Sequence, residues 1–371
     1  MANIVISANT SWYLYNFRKN TILSLIDKGH KVTAISPKDS YSSMLEELGA
    51  QHIDIDIDQG GTNPLKDIKT YIDFFRIYRS GQYDIVLNFT PKNNIYSTMA
   101  AKLNGLKVIN NIAGLGVLFI NENITAKVAR VLYKFSQRKA DKIFFQNEDD
   151  RTLFIKHKLT TLSVTERLPG SGVDLKRFIV SPAKDDGVVR FLLIARMLYD
   201  KGIGHYIEAA RELKKCYGDK IEFYLLGFLD VDNPSSVSQV EMESWVAEGI
   251  VNYLGASDTV EAEIAKSDCM VLPSFYREGV PKSLLEAGAM GKPIVTTDNV
   301  GCRETVDHDI NGYLCEIKST SSLIVQLDKI IKLTHNERID MGIKSRLKIK
   351  NEFDENIVIN KYINAVDACL A

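Results

Sequence analysis

The sequence predicts an α/β protein made of two doubly wound, parallel-sheet domains, and three observations support this fold class. The chain has 371 residues, about two and a half times the roughly 150 residues of an average domain. Hydrophobic residues make up 45% and charged residues 25%, the balance of a globular protein with large cores. Short β-branched apolar runs also alternate with longer stretches of helical period, which is typical of βαβ units around a parallel sheet.

The first half of the chain carries six candidate strands separated by candidate helices. The strands are predicted at 3–8, 31–36, 52–57, 83–88, 107–111 and 142–146. The helices are predicted near 16–28, 40–48, 65–80, 93–104, 124–139 and 148–157. Together these elements indicate a Rossmann-like domain over 1–175.

A change in composition separates this domain from a second one. Pro, Gly and Asp cluster in 168–174 and again in 181–187, as they do in turns and linkers. Five more candidate strands follow at 188–195, 221–226, 250–254, 269–273 and 294–297. They indicate a second Rossmann-like domain over 187–353, and we expect a last helix at about 354–371 to pack back on the first domain. Because such sheets bind ligands at the carboxyl ends of their strands, the two domains should face each other across a substrate cleft.

Charge and cysteine content exclude several classes of protein. The 46 basic and 47 acidic residues give a formal charge of −1, so no overall basic character favours nucleic acid. The five cysteines are odd in number and contain no C-x-x-C pair, which is atypical of zinc sites and of disulfide frameworks. No run approaches the roughly 18 apolar residues of a membrane span. We therefore expect a cytoplasmic protein that does not cross a membrane.

The most informative segment is 273–293, where a buried strand is followed by a loop and a helix. Pro281 suits the first turn of that helix, and the preceding Gly279 and Val280 can bring backbone N–H groups against an anion such as a diphosphate. Glu278 precedes the helix and Glu286 lies within it, roughly 7–8 Å further along the axis. Two carboxylates so spaced can hold hydroxyls at both ends of a ligand whose phosphates lie between them. The alternative is two solvated acids, but an unpaired carboxylate in an apolar helix is expensive to bury.

A pair of cations follows the first candidate strand of the second domain. Arg196 leaves the carboxyl end of that strand and Lys201 opens the next helix, so both should face the same cleft. An Arg fork and a Lys point charge commonly bind two adjacent phosphates. The alternative is two surface bases, which is less favoured because the acidic and basic clusters converge on one cleft.

These residues resemble a known family, the retaining GT-B glycosyltransferases and particularly family 4. Glu278 and Glu286 match the E-x7-E motif of that family, and Arg196 with Lys201-Gly202 matches its R-x4-K-G pattern. The resemblance implies that Arg196 and Lys201 neutralise the diphosphate of a nucleotide sugar and that Glu278 contacts the donor sugar. These three residues are therefore the candidate catalytic residues.

The same resemblance implies the remaining donor-binding residues. Glu286 is expected to bind the ribose. Backbone donors to sugar or phosphate are expected from Gly279 and Val280, beside Pro281 at the helix start. Leu254 and Gly255 are expected to lie by the base.

The first domain should bind the acceptor. The family members that extend undecaprenyl-diphosphate-linked oligosaccharides, including N-acetylgalactosaminyltransferases, have an aromatic-Phe-Arg stretch similar to 12–18. They also share a Lys-x-Asn similar to 92–94 and a Gly-Leu-Gly similar to 114–116. The candidate acceptor-binding residues are accordingly Arg18, Lys92, Asn93, Gly114 and Gly116.

Physical chemistry assigns different roles to these acceptor residues. Arg18 and Lys92 can hold an acceptor phosphate, while Gly114 and Gly116 let the backbone approach the reacting sugar. Solvated bases and a tight glycine turn are the alternative. A catalytic His that some family members carry after the fifth strand is replaced here by 110–112, Asn-Asn-Ile, so we assign no protein base.

The helix predicted at 124–139 carries five bases, no acid, and apolar residues at helical spacing. A basic amphipathic helix of this kind can dock on anionic lipid. The alternative is a helix that packs on its sheet with a solvated basic face. We expect membrane docking, and hence a peripheral location on the inner face of the plasma membrane.

Three aspartates, Asp54, Asp56 and Asp58, form overlapping D-x-D, the metal motif of the other major glycosyltransferase fold. Alternation places them on one face of a strand and the intervening isoleucines on the other, so an exposed strand explains them. The six histidines show no metal-ligand spacing. We expect no metal and no cofactor, only a nucleotide-sugar co-substrate.

The sequence thus predicts a retaining hexosyltransferase. It would move N-acetylgalactosamine, or another hexose or N-acetylhexosamine, from a UDP-sugar to a polyprenyl-diphosphate-linked saccharide in surface polysaccharide or glycan biosynthesis. Three alternatives stay open: a nucleotide-sugar epimerase of the same architecture, a non-catalytic nucleotide-sugar-binding protein, and a soluble glucan- or sucrose-type transferase.

Overall fold

Two parallel β-sheets organise the chain. The computed structural model describes residues 1–58, 63–115, 124–229 and 233–371. One unit comprises Met1–Ser171 with Asn356–Ala371, and the other comprises Gly172–Glu355. The division at 171/172 falls inside the turn-rich segment 168–174.

The first unit contains a seven-stranded parallel sheet. Its strands are β1 (Asn3–Ser7), β2 (Lys31–Ile35), β3 (Gln51–Ile53), β4 (Ile85–Asn88), β5 (Lys107–Ile112), β6 (Lys142–Phe145) and β7 (Thr165–Arg167). Its helices are α1 (Ser11–Asp27), α2 (Ser42–Glu47), α3 (Pro64–Ser80), α4 (Thr98–Leu103), α5 (Ile124–Gln137) and α6 (Glu148–Lys156). A π-helical segment, Asn93–Ser97, leads into α4.

The second unit contains a six-stranded parallel sheet. Its strands are β8 (Val189–Ile194), β9 (Ile221–Leu226), β10 (Asn252–Tyr253), β11 (Cys269–Leu272), β12 (Ile294–Thr297) and β13 (Gly312–Cys315). Its helices are α7 (Ile203–Tyr217), α8 (Gln239–Ala247), α9 (Val260–Lys266), α10 (Lys282–Ala289), α11 (Thr320–Lys332) and α12 (His335–Glu352). A last helix, α13 (Glu355–Leu370), follows α12.

The strand orders confirm the predicted fold class of two doubly wound sheets. They are β3-β2-β1-β4-β5-β6-β7 in the first unit and β10-β9-β8-β11-β12-β13 in the second. The chain reverses its winding direction between β1 and β4 and between β8 and β11. Ligands of doubly wound sheets bind at the carboxyl ends of the strands at such switch points.

Helix α13 belongs to the core of the first unit. Its Val358, Tyr362 and Val366 are buried in the same hydrophobic cluster as Leu14 and Ile22 of α1. The end of the chain therefore covers the sheet that its beginning forms. Strand β1 lies beneath and is apolar along most of its length because both faces of a parallel sheet are covered.

Several predicted boundaries are wrong for identifiable reasons. Helix α1 begins at Ser11 rather than at 16, since the Thr10 side chain accepts a hydrogen bond from the Tyr13 N–H at 3.0 Å and caps it. The strand predicted at 52–57 pairs only over β3, although Ile55 and Ile57 are still buried. Strands β7 and β13 were missed because each is an edge strand of only three or four residues, too short to show a periodic pattern.

Candidate active site

The turn between β8 and α7 packs closely against the end of β11. Gly202 caps α7 with a φ of 81°, and a Cβ at this position would lie 2.1 Å from the carbonyl oxygen of Pro273. Only glycine permits both this backbone conformation and this approach. The packing holds Lys201 beside the loop that follows β11.

Lys201 and Glu278 form an ion pair at the carboxyl edge of the second sheet. Lys201 Nζ donates to Glu278 Oε1, and the two side chains are only 13% and 12% exposed. Ser274 Oγ donates to the same carboxylate oxygen at 2.9 Å. The Lys201 ammonium also lies 4.9 Å from the centre of the Tyr276 ring. Lys201, predicted to bind the diphosphate, and Glu278, predicted to contact the donor sugar, are thus paired with each other and partly shielded from water.

The strand next to β11 positions this loop. Asn299 Nδ2 donates to the carbonyl oxygen of Tyr276 at 2.9 Å, and Thr297 Oγ1 donates to that of Ser274. A Cβ at Gly301 would lie 1.5 Å from the carbonyl oxygen of Gly279. Sequence reasoning missed Thr297, Asn299 and Gly301. The sequence did carry a signal for them, because polar and small residues stand at the carboxyl end of β12, which neighbours β11.

Glu286 lies on α10 with its carboxylate almost entirely buried, at 8% exposure. Burial raises the pKa of Glu286, while the cations Lys282 and Arg177 partly oppose this rise. Lys282 Nζ lies 3.9 Å from Glu286 Oε1, too far for a hydrogen bond. A carboxylate in this setting gains from ligand hydroxyls that donate to it, which is the chemistry expected of a ribose site.

In the first unit, Lys92 and Asn93 follow β4 and already have partners. Lys92 Nζ donates to Asp67 Oδ1 of α3 at 2.6 Å, and Tyr96 donates to the other oxygen at 2.9 Å. Asn93 is fully buried. Its Oδ1 accepts from Thr90 Oγ1 at 2.6 Å and its Nδ2 donates to Ser7 Oγ at 3.0 Å.

Arg18 is a buried cation in an aromatic setting. It is 1% exposed, and its guanidinium carbon lies 4.5 Å from the centre of the Phe89 ring and 5.6 Å from that of Tyr362. Within the described residues, Arg18 Nε and Nη1 have no hydrogen-bond partner. The helix predicted near 16–28 would place Arg18 at its start, which is wrong, because α1 begins seven residues before Arg18.

A network of buried amides connects β4, β5 and α5. Asn88 Nδ2 donates to Asn110 Oδ1 at 2.9 Å, and Asn110 Nδ2 donates to Gln137 Oε1 at 2.8 Å. Gln137 in turn donates to the Asn94 carbonyl oxygen in the π-helical segment at 2.7 Å. Asn110, which lies within β5, is therefore a structural residue. Sequence reasoning missed this network because its members are far apart in the chain.

Comparison with known proteins decides the family. Residues 189–333 match the model of the group 1 glycosyl transferases, and residues 3–147 match that of the glycosyl transferase 4-like domains. The chain is also 30% identical to the N,N'-diacetylbacillosaminyl-diphospho-undecaprenol alpha-1,3-N-acetylgalactosaminyltransferase of Campylobacter jejuni, over 95% of both chains. The chain belongs to the family 4 glycosyltransferases.

Further relatives agree with this assignment. The glycosyltransferase is 25% identical to the UDP-Gal:alpha-D-GlcNAc-diphosphoundecaprenol alpha-1,3-galactosyltransferase of Escherichia coli, over 78% of this chain and 76% of that one. A glycosyltransferase from Rickettsia africae superposes with a TM-score of 0.80 at 17% identity, covering 100% of this chain and 98% of that one. Anabaena HepE in complex with UDP-glucose superposes with a TM-score of 0.80 at 16% identity, covering 99% of this chain and 100% of that one. These structures confirm the GT-B fold.

The geometry of the glycosyltransferase brings several predicted donor residues to one edge. Arg196 is exposed directly beyond β8, and Gly279 and Val280 are buried before α10. Pro281 is the N-cap of α10, one residue before the helix begins. Strands β8 and β11 are neighbours, so Arg196, Lys201, Glu278 and the start of α10 share one sheet edge.

The remaining predicted residues of the glycosyltransferase lie further along this edge or in the first unit. Leu254 follows β10, which β9 separates from β8, and it lines a pocket of about 640 Å³ with Pro182, Tyr224 and Lys266. The carbonyl oxygen of Gly255 accepts from the Gly227 N–H at 2.7 Å. In the first unit, Gly114 is half-buried with a φ of 131°. Gly116 lies outside the described residues.

The described residues contain neither a metal-binding cluster nor a membrane-spanning helix. No group of three or more His, Cys, Asp or Glu side chains among them is arranged to hold a metal ion. No helix among them combines the length and apolarity needed to cross a membrane.

Proposed function

We propose that this glycosyltransferase moves a hexose or N-acetylhexosamine from a UDP-sugar to a polyprenyl-diphosphate-linked saccharide, with retention of anomeric configuration. The observation that carries the proposal is the shielded Lys201–Glu278 pair beside the start of α10. The relatives support the acceptor class, because two of them are named for transfer to undecaprenyl-diphosphate-linked sugars.

In this proposal the second unit binds the donor and stabilises the leaving group. Arg196, Lys201 and the positive end of α10 offset the charge that grows on the departing diphosphate. The ion pair keeps Lys201 in place before the donor arrives, so little reorganisation is needed during the reaction. Glu278 contacts the donor sugar, and Glu286 accepts hydrogen bonds from the ribose.

The same cations make a metal unnecessary in this proposal. An oxygen of the leaving diphosphate, rather than a side chain, accepts the proton of the acceptor hydroxyl. We therefore expect transfer to need no added divalent cation, and equal rates with and without EDTA would bear this out.

The first unit binds the acceptor in this proposal. Lys92, Asn93 and Gly114 follow β4 and β5, whose carboxyl ends share one edge of the first sheet. Buried Arg18 adds a positive charge under the neighbouring Phe89. A lipid-linked acceptor requires the enzyme to work at the cytoplasmic face of a membrane, and α5 is the element we assign to that contact.

The test is a transfer assay with UDP-sugars, first UDP-N-acetylgalactosamine, and a polyprenyl-diphosphate-linked saccharide. Glu278→Gln keeps the shape of the side chain but removes its charge, so we expect kcat to fall roughly 10²–10³-fold. UDP affinity, measured by calorimetry, should change by less than about threefold, since α10 and Arg196 remain.

The matched control is Glu212→Gln, which removes a surface ion pair with Lys215. It should keep full activity, because such pairs contribute little. Full activity in Glu278→Gln, or no binding of any UDP-sugar by the wild type, would contradict the proposal. Conversion of the donor to an epimer without acceptor would instead identify an epimerase.

A further inference from the structure

Two helices of the first unit expose rows of large apolar side chains. On α5, Val128, Val131 and Phe135 are 53%, 51% and 62% exposed. On α3, Leu65, Ile68 and Ile72 are 75%, 55% and 38% exposed. Spacings of three or four residues place each set along one face of its helix. We call them the α5 row and the α3 row.

The two helices lie in one layer of the first unit. Phe74 and Tyr78 of α3 and Tyr133 of α5 are buried in one hydrophobic cluster between this layer and the sheet. Both helices also pack against the π-helical segment Asn93–Ser97. Since each turns its buried face to the same cluster, the α3 and α5 rows both point outward from that layer.

Basic side chains border the α5 row. Lys127 and Lys134 of α5, and Lys139 two residues beyond its end, are exposed, and no carboxylate of the described residues lies within 4 Å of their ammonium groups. The two lysines of α3 differ, because Lys69 pairs with Asp56 at 2.8 Å and Lys66 lies 3.9 Å from Asp58. The layer therefore has uncompensated positive charge on α5, whereas the lysines beside the α3 row lie close to carboxylates.

We propose that α3 and α5 together form a docking surface for an anionic lipid bilayer. The bases of α5 attract anionic headgroups, while the α5 and α3 rows insert between lipids. Single exposed apolar residues are common, whereas two rows of three, on helices that both contact the segment Asn93–Ser97, are the kind of apolar surface that marks a membrane or protein contact. The uncompensated charge of α5 favours anionic lipid over a protein partner.

This inference rests on the proposed function, because it gives the lipid-linked acceptor a route to its site. Asp67, which lies between Leu65 and Ile68 on α3, accepts the hydrogen bond from Lys92. The α3 row thus begins within one turn of a candidate acceptor residue. Docking through both helices brings that residue to the membrane surface, whereas docking through α5 alone does not require it.

The experiment is flotation of the full-length enzyme with vesicles of phosphatidylcholine alone or with about 30% phosphatidylglycerol, at low and high salt. Wild type should bind the anionic vesicles and lose most of this binding at high salt. Leu65→Ser/Ile68→Ser should weaken binding about fivefold and Lys127→Gln/Lys134→Gln about tenfold. All these side chains are exposed, so folding should be preserved. Val240→Ser/Val246→Ser on α8, where both valines are exposed, is the control and should bind as wild type.

A water-soluble, short-chain acceptor separates the two proposals. If the variants use this acceptor as wild type does but no longer float, the docking surface is supported. If the α3 variant floats as well as wild type, the two-helix surface is overturned. If wild type binds neutral and anionic vesicles equally, the preference for anionic lipid is overturned. Loss of self-association instead of vesicle binding would assign the layer to a second copy of the chain. Flotation without any transfer, even to the soluble acceptor, would leave docking standing and refute the proposed function.

Discussion

Burial decides the chemistry of Glu286. Its carboxylate lies in an apolar helix with the nearest ammonium, that of Lys282, 3.9 Å away, and burial raises its pKa. The unfolded chain ionises Glu286 at the ordinary glutamate pKa of 4.5, whereas the folded protein keeps the proton to higher pH. The folded state therefore binds more protons above pH 4.5, and the contribution of Glu286 to stability falls as pH rises through the interval between the two pKa values.

The substitution Glu286→Gln tests this argument. The amide does not titrate, so the variant does not lose stability in this way. We therefore expect the melting temperature of the variant minus that of wild type to increase as pH rises from about 4.5 to 7. UDP affinity should fall about tenfold at pH 7, as the ribose loses a charged acceptor. Calorimetric melting and UDP titration across this pH range check both points. A melting difference that stays constant with pH would show that Glu286 does not titrate differently in the two states.

At the scale of elements, the donor site depends on three connections that follow neighbouring strands. The turn after β8 carries Arg196 and Lys201, the loop after β11 carries Glu278, and the residues after β12 hold that loop through Asn299. Gly202 lets the first two approach, since a Cβ there would clash with the Pro273 carbonyl. The position of the ion pair therefore depends on a backbone contact rather than on side chains alone.

Gly202→Ala should damage both stability and catalysis. Gly218, at the other end of α7, also has a positive φ, of 56°, but a methyl group there would meet nothing within 4 Å. Gly218→Ala should therefore cost about 1–3 kcal/mol of unfolding free energy through backbone strain alone and keep activity. Gly202→Ala should cost more and lower kcat at least about tenfold, because Lys201 must move. Urea unfolding and the transfer assay measure both effects, and equal behaviour of the two variants would contradict the role of the close contact.

At the scale of the whole molecule, the two ends of the chain meet in the first unit. Arg18 of α1 lies against Phe89 after β4 and against Tyr362 of α13. Tyr362 also contacts Phe144 of β6, with ring centres 5.0 Å apart. The last helix thus completes the setting of the buried cation. A buried guanidinium with unpaired nitrogen atoms costs stability, which indicates a role other than packing.

Arg18→Met separates charge from packing. Within the described residues no carboxylate pairs with Arg18, whose Nη2 donates only to the Tyr13 hydroxyl at 3.4 Å, so removing this buried charge should leave the melting temperature unchanged or higher. If the charge acts on the acceptor diphosphate, KM for the acceptor should rise about tenfold while KM for the UDP-sugar stays constant. Arg18→Lys, which keeps the charge, should recover part of the loss. An acceptor KM unaffected by Arg18→Met would limit this residue to a structural role.

Sequence alone determined the fold class and the elements that carry the donor site. Apolar periodicity is local, and it located β8, β11 and the helix after Glu278 to within a few residues. The family motifs then picked out Arg196, Lys201, Glu278 and Glu286 without any knowledge of packing. The acidic alternation at Asp54 and Asp56 was likewise visible, but the exposed strand predicted from it is wrong, because β3 ends at Ile53.

Tertiary structure decided which partner each charged side chain has. Lys201 and Glu278 lie 77 positions apart, and only the adjacency of β8 and β11 pairs them. Lys92 is joined to Asp67, and Arg18 is buried beside Tyr362 from the far end of the chain. The periodicity of a sequence records which face of an element is apolar. It does not record which elements become neighbours, and the distance between charges, together with their exclusion from water, follows from that arrangement.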